Sequence, residues 1–301
     1  MSSTATGRVY RPTSLEEVFT AFSADPEAHL LAGGTDFMVE VNYNHRRPPA
    51  VISLRDVPEL CRWRREGSEI VLGAGCTYTT IMKAEIADLV PGLAQAARTV
   101  GSPQIRNAGT LGGNIATASP AGDTLPVLAA LDASIVIASA KGSREATLDQ
   151  LTVGPKRTTL EPGELILEVR LPALLGTQEF LKVGTRNAMV ISVAGVAIVV
   201  DWVGHSVRIA LGSVGPVIIR AKEAEGYCAE RIDWDLRTLE GGDVTLAELA
   251  AQVSAAARPI DDHRSTAAYR RHAVGVCARR GIERALDAGA AAREEGSTWE
   301  L

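Results

Sequence analysis

Aromatic residues make up only 4% of this 301-residue chain. That is too few for a surface on which successive bases stack. There are four cysteines, Cys61, Cys76, Cys228 and Cys277, all far apart. None forms a C-x-x-C pair, so neither zinc nor an iron–sulfur cluster is signalled. The histidines, His29, His45, His205, His263 and His272, lack metal-ligand spacing with one another, with a cysteine or with a carboxylate. Neither a metal site nor a catalytic constellation is indicated. No basic block is present and the net charge is -5, which argues against a nucleic-acid partner. No apolar run is long enough to be a transmembrane segment; Val190–Val200 is short and is interrupted by Ser192 and Gly195. The N-terminus lacks a signal-peptide core, so a cytoplasmic location is expected. The P-loop pattern and the Rossmann G-x-G-x-x-G are both missing, which excludes the common nucleotide-binding signatures.

What is present is an ordinary globular composition, 46% hydrophobic and 22% charged, at a length that suggests two domains with subdomains. Two neutral, glycine-rich stretches stand out. One is Ala32-Gly33-Gly34-Thr35-Asp36. The other lies within Ser102–Ala133, where Gly112 and Gly113 are flanked by Thr110, Asn114, Thr117 and Ser119. Glycines let backbone N–H groups turn toward one concavity and let a ligand approach closely. Two such turns suit a pyrophosphate. Either turn alone reads more readily as a structural bend.

Along the chain, Ser14-Leu15-Glu16-Glu17 has the form of a capping box ahead of a helix carrying Val18, Phe19 and Phe22. A strand at His29–Ala32, the first glycine turn, a helix at Phe37–Tyr43 and a strand at Ala50–Leu54 form a small α/β unit. A second segment begins near Arg55. It opens with a hairpin of Cys61–Arg65 and Glu69–Leu72 across Glu66-Gly67. Helices at Thr79–Ala87 and Pro91–Val100 follow, then a loop at Ser102–Pro120, a short buried helix at Leu125–Leu131, and strands at Ser134–Ser139 and Leu165–Leu171. A third segment begins near Leu174. Glu179–Val183, Val190–Trp202 and Val207–Val214 read as a three-stranded antiparallel sheet with a turn at Gly204-His205. Helices at Thr245–Ala257 and Thr266–Leu286 follow, the second presenting Tyr269, Ala273 and Val276 on one face. The expected units are 1–54, 55–173 and 174–287, with 288–301 a flexible tail.

AGGTD at 32–36, IRNAGTLGGNIATASPAGDTLPVLAALDA at 105–133 and LKVGTRNAMVIS at 181–192 together resemble one family, in order and over about residues 7–287. It is the FAD-binding medium subunit of the molybdenum hydroxylases, which include xanthine dehydrogenase and carbon monoxide dehydrogenase. The resemblance implies an α+β fold: a two-part FAD-binding domain of the vanillyl-alcohol-oxidase type, followed by a smaller α+β domain. It implies FAD as cofactor, with its pyrophosphate held between two turns. Leu31, Ala32, Gly33, Gly34, Thr35 and Asp36 match the first. Thr110, Leu111, Gly112, Gly113, Asn114 and Ile115 match the second. Asp36, an anion, is expected to contribute backbone and to cap the following helix. Asp123 matches an acid near the adenosine end, and reads equally as a helix cap. Ile166 matches an apolar position against the flavin, and reads equally as core. Lys182 matches a basic position at the flavin pyrimidine edge. Arg106 has two readings, pairing with a phosphate or a partner subunit, or lying on the surface.

The same resemblance implies an electron-transfer role beside a molybdopterin-binding large subunit and a [2Fe-2S] small subunit, in a dimer of heterotrimers. Electrons would leave from FAD to an external acceptor: NAD, quinone or oxygen. The lack of clustered cysteines speaks against the medium subunits that carry an extra [4Fe-4S] cluster. Xanthine or another N-heterocycle is the expected substrate of the complex, with carbon monoxide the alternative. A self-standing FAD-dependent oxidoreductase would need its own acid or base over the flavin, and none can be nominated.

Overall fold

The computed structural model describes residues 7–45, 47–174 and 176–294. Its first unit is a three-stranded parallel sheet in the order β1-β3-β2: β1 (Arg8–Tyr10), β2 (His29–Leu31) and β3 (Ala50–Ser53). Helix α1 (Leu15–Ala24) starts where the sequence predicts, with the Ser14 hydroxyl accepting the Glu17 N–H. The reciprocal half of the capping box is displaced by one residue, because the Glu17 carboxylate takes the Thr13 N–H at 2.6 Å. Val18 and Phe22 of α1 pack on Ile52 in the main core. Between β2 and β3 run the AGGTD turn and α2 (Phe37–Asn42), which buries no residue.

The second unit is built on a five-stranded antiparallel sheet, in the order β4-β5-β10-β6-β7. β4 (Trp63–Glu66) and β5 (Glu69–Gly73) form the expected hairpin. The predicted helix after it is broken in two, α3 (Tyr78–Ile81) and α4 (Ala84–Ala87), and α5 (Pro91–Thr99) follows with Pro91 in its first turn. The stretch read as a loop is mostly helical: α6 (Pro103–Ala108) and α7 (Leu111–Thr117). Its low-propensity glycines hid two intact start signals. The Ser102 hydroxyl caps α6, with Pro103 next, and the Thr110 hydroxyl caps α7. α8 (Thr124–Ala130) leads to β6 (Ser134–Ser139). β6 pairs with β7 (Gly142–Thr147), a strand that its polar sequence GSREAT concealed. Then come α9 (Leu148–Leu151), a small hairpin of β8 (Thr152–Gly154) and β9 (Arg157–Thr158), and β10 (Leu165–Pro172), which inserts between β5 and β6.

The C-terminal sheet has four strands rather than the expected three. β11 (Gly176–Val183), β12 (Ala194–Asp201) and β13 (Ser206–Gly212) are joined at the edge by β14 (Ile219–Arg220), a two-residue strand too short to carry a period-2 signal. Beyond it lie α10 (Lys222–Ala229), the β15 (Ile232–Asp233) and β16 (Thr238–Leu239) pair, α11 (Gly242–Ala256) and α12 (Ala267–Glu294). α12 continues past Leu286 to Glu294, so the first part of the expected flexible tail is helix; residues 295–301 lie outside the described residues. Its buried stripe holds Ala273, Val274, Cys277 and Ala278, whereas Tyr269 is half exposed, so the expected face is only partly right.

Every residue of β12 is buried, because the strand packs on both faces. Val196, Ile198 and Val200 share a core with α12, while Ala197 and Val199 join the core of the five-stranded sheet. That is why this strand reads as an unbroken apolar run rather than an alternation. Polar contacts fix the same junction. The Phe180 N–H donates to Gln95 Oε1 at 2.7 Å, the Gly92 N–H to Gln178 Oε1 at 3.2 Å and the Ser213 N–H to the Pro120 carbonyl at 2.7 Å.

Candidate functional site

The two glycine turns, distant in sequence, meet backbone to backbone. A Cβ built on Gly33 would lie 1.7 Å from the Ala108 carbonyl oxygen and 2.9 Å from the Gly109 nitrogen. Only glycine permits that approach. Gly34 follows with φ +73°, a left-handed conformation that also favours glycine. Four consecutive N–H groups, those of Gly33, Gly34, Thr35 and Asp36, find no acceptor among the described residues. Asp36 occupies the N-cap position of α2, but its carboxylate makes no capping bond. Leu31 closes β2. Ala32, between Leu31 and Gly33, is half-buried.

The second turn contributes differently from the sequence reading. Most of its backbone donors are already engaged: the Leu111 N–H by the Cys76 carbonyl at 2.9 Å, Gly112 by Ala74 at 2.8 Å, Asn114 by Thr110 at 3.0 Å and Gly113 by the Thr110 hydroxyl at 3.0 Å, while the Thr110 N–H finds no acceptor among the described residues. Gly112 is glycine because a Cβ there would sit 2.5 Å from the Ala74 methyl. Leu111 and Ile115 are fully buried in the main core, and each contributes about 1.5–3 kcal/mol toward holding α7 in place. Asn114 Oδ1 accepts from the Thr124 hydroxyl at 2.6 Å. The TLGG segment is therefore a largely committed wall that leaves the Thr110 N–H, and most of the free donors belong to the AGGTD turn.

Asp123 and Lys182, expected at opposite ends of the cofactor, are instead partners. Lys182 Nζ lies 2.5 Å from Asp123 Oδ2, and both side chains are over nine-tenths buried. Lys182 Nζ also donates to the Thr99 carbonyl at 3.2 Å, and the Thr99 hydroxyl lies 3.2 Å from Asp123 Oδ2. Burial pushes the Asp123 carboxyl up, and the Lys182 ammonium with the Thr99 and Ser192 hydroxyls opposes that rise without cancelling it. Asp123 sits at the N-cap position of α8 without making a capping bond. Its Oδ1 is buried and has no hydrogen-bond partner among the described residues, the Ser192 hydroxyl being the nearby group that helps to hold the carboxyl down. An enclosed carboxylate oxygen without a donor costs free energy until a ligand hydroxyl supplies one. Ile166 lies in β10 and faces the main core.

Beside the pair opens a cleft of about 450 Å³ between the end of α5 and the segment after β11. Arg98, Thr99, Arg106, Lys182 and Arg186 line it, so the opening is strongly cationic. Arg106 is partly committed: its guanidinium donates to the Val100 and Gly101 carbonyls at 3.1 and 2.9 Å. Thr99 and Arg98 carry no signal in the sequence. They become site residues only because α5 ends here. Among the described residues, no three His, Cys, Asp or Glu side chains converge to hold a metal.

Free N–H groups on a turn, an unpaired buried carboxylate oxygen and a cationic cleft fit a dinucleotide with a diphosphate and ribose hydroxyls. Comparison with known proteins agrees. The family described as "FAD binding domain in molybdopterin dehydrogenase" matches residues 3–174, and "CO dehydrogenase flavoprotein C-terminal domain" matches residues 179–285. The glyceraldehyde dehydrogenase medium chain of Sulfolobus acidocaldarius is 30% identical, covering 88% of this chain and 93% of its own. The nicotine 6-hydroxylase medium subunit of Paenarthrobacter nicotinovorans is 31% identical over 94% of this chain and 97% of its own. A chain in the structure of Cu,Mo-CO dehydrogenase superposes with a TM-score of 0.84 at 26% identity, covering 93% of this chain and 98% of that one. The chain is thus a FAD-binding medium subunit of the molybdenum hydroxylase family.

Proposed function

We propose that this subunit is the electron exit of a molybdenum hydroxylase complex whose substrate is an N-heterocycle such as xanthine. The observation that carries the role is the combination of free turn N–H groups, an enclosed Asp123 oxygen and a cationic cleft, in a chain similar over nearly its whole length to medium subunits of hydroxylase complexes. The N-heterocycle is favoured by the nicotine 6-hydroxylase relative, which aligns over 94% of this chain. Carbon monoxide is the second reading, supported by the match to the Cu,Mo-CO dehydrogenase structure.

In this reading the N–H groups of Gly33 to Asp36 take the diphosphate, with Thr35 adding a hydroxyl. Asp123 Oδ1 accepts a ribose hydroxyl, while Oδ2 stays with Lys182. Lys182, Arg98 and Arg186 supply positive potential that favours added negative charge in the cleft. The bound flavin supplies the conversion between one- and two-electron steps. The partners in this reading are a molybdopterin-binding large subunit and a [2Fe-2S] small subunit, in a cytoplasmic dimer of heterotrimers. NAD, quinone or oxygen would be the acceptor.

The test is to purify the chain alone and with its partner subunits, and to supply xanthine or carbon monoxide anaerobically. The isolated chain should show a flavin spectrum that neither substrate bleaches, and bleaching by xanthine should need the complex. Bleaching of the isolated chain would establish a self-standing flavoenzyme, and bleaching of the complex by carbon monoxide alone would overturn the N-heterocycle.

A further inference from the structure

Tyr78 opens α3 directly after its Thr77 cap, and only 4% of the residue is exposed. The ring is keyed to the junction of α6 and α7. A Cβ on Gly109 would meet its Cε2 at 2.7 Å, and the Tyr78 N–H donates to the Gly109 carbonyl at 3.2 Å. Thr77 forms a bridge with Thr110 at the same place. This is the junction on which Gly33 rests, so the phenol is held against the seam between the two glycine turns.

The neighbouring hydroxyls have protein partners. Thr79 donates to Asn107 Oδ1 at 2.6 Å, and Thr80 lies 3.0 Å from the Thr77 hydroxyl. The Tyr78 hydroxyl has none among the described residues. The hydroxyl is not among the enclosed unpartnered atoms, so the small exposed part of this residue includes its oxygen, while the ring is buried: a phenol that reaches the surface of the seam can meet a ligand there. Burial, reinforced by the Asp36 and Asp123 carboxylates acting through space, pushes the phenol up. It therefore stays protonated and is available as a donor. Those two carboxylates come from the end of the AGGTD turn and from the buried pair with Lys182, so Tyr78 stands in the field of both halves of the site.

We propose that Tyr78 is a cofactor-positioning residue, its hydroxyl donating a hydrogen bond to a phosphate oxygen of the bound dinucleotide at the seam of the two glycine turns. The inference rests on FAD being the ligand. It adds a side-chain donor where the TLGG backbone has only the Thr110 N–H to spare.

The test is Tyr78→Phe in the full-length chain, stripped of cofactor and titrated with FAD by fluorescence and with ADP by calorimetry. ADP carries the diphosphate without the flavin. Because hydrogen bonds to charged groups are strong, both dissociation constants should rise roughly tenfold or more while the melting temperature of the apoprotein is unchanged. Unchanged FAD affinity overturns the proposal. So does a loss for FAD without a loss for ADP, which would move the contact off the phosphate. A matching fall in apoprotein melting temperature would make Tyr78 structural. If the unmodified chain takes up neither ligand, the cofactor reading itself falls, and this inference with it.

Discussion

Gly33 rests against Ala108 so closely that a Cβ on residue 33 would lie 1.7 Å from the Ala108 carbonyl oxygen. The contact is main chain on main chain, and neither side can rotate away. Gly33→Ala should therefore push the AGGTD turn off the α6–α7 junction and separate the free N–H groups from the rest of the site. We expect a loss of about 1–3 kcal/mol, the usual cost of overpacking, together with loss of bound FAD. Gly112→Ala provides the contrast, since its new methyl would strike Ala74 at 2.5 Å. That variant should melt lower even as apoprotein. Melting temperature and flavin content, measured side by side, check both. A Gly33→Ala protein that melts normally and keeps its flavin would refute the close approach as a requirement.

Removing Lys182 leaves Asp123 with one oxygen already unpartnered and the other deprived of its cation. Lys182→Met should cost about 3–5 kcal/mol, as expected when one member of a buried ion pair is deleted. The double variant Lys182→Met with Asp123→Leu should recover most of that stability, because apolar groups can replace the pair, yet it should bind FAD poorly. Urea unfolding of the single and double variants separates the two effects. Equal stability of Lys182→Met and the parent would show that the pair does not carry the junction.

Arg270 is a buried cation that ties α12 to the C-terminal sheet. It donates to the Val193 and Ser213 carbonyls at 2.8 and 2.9 Å and to Asp262 at 2.6 Å. Burial raises the Asp262 carboxyl, but the Arg264 N–H, the Arg270 guanidinium and the Ser265 N–H outweigh it and hold it at about 2. A carboxyl depressed in the folded state binds fewer protons there than in the unfolded chain. Its stabilisation is complete above the ordinary value of about 3.9 and is lost as pH falls through the folded value. Melting temperature should fall between pH 4 and pH 2, and Asp262→Asn should flatten that limb while lowering the plateau above it. A pH profile identical in the two proteins would contradict this.

Local signals in the sequence located many elements. The Ser14 cap and the apolar spacing of Val18 and Phe22 specify α1, and the Glu66-Gly67 turn specifies the β4–β5 hairpin. Local signals misled where propensity and tertiary support disagree. α7 carries two glycines and still forms, because Leu111 and Ile115 are buried and Ala74 and Cys76 accept its first N–H groups. β7 is polar because only one of its edges and little of its surface are covered.

The family and the ligand class are legible in the order of AGGTD, TLGGNIATASPAGD and LKVGTRN along the chain, since glycine and small polar residues at those places can be read without coordinates. How the labour is divided between the two turns emerges from the folded chain. The tertiary structure showed that, among the described residues, the first turn keeps its N–H groups free while the second spends all but the Thr110 N–H on Ala74, Cys76 and Thr110. It placed Lys182 on Asp123 and held Tyr78, whose hydroxyl has no partner among the described residues, against the seam. The physical reason is that hydrogen-bond satisfaction and ion pairing are settled by groups brought together from distant parts of the chain. A one-dimensional pattern records which donors and acceptors exist, and the fold alone records which of them are left over.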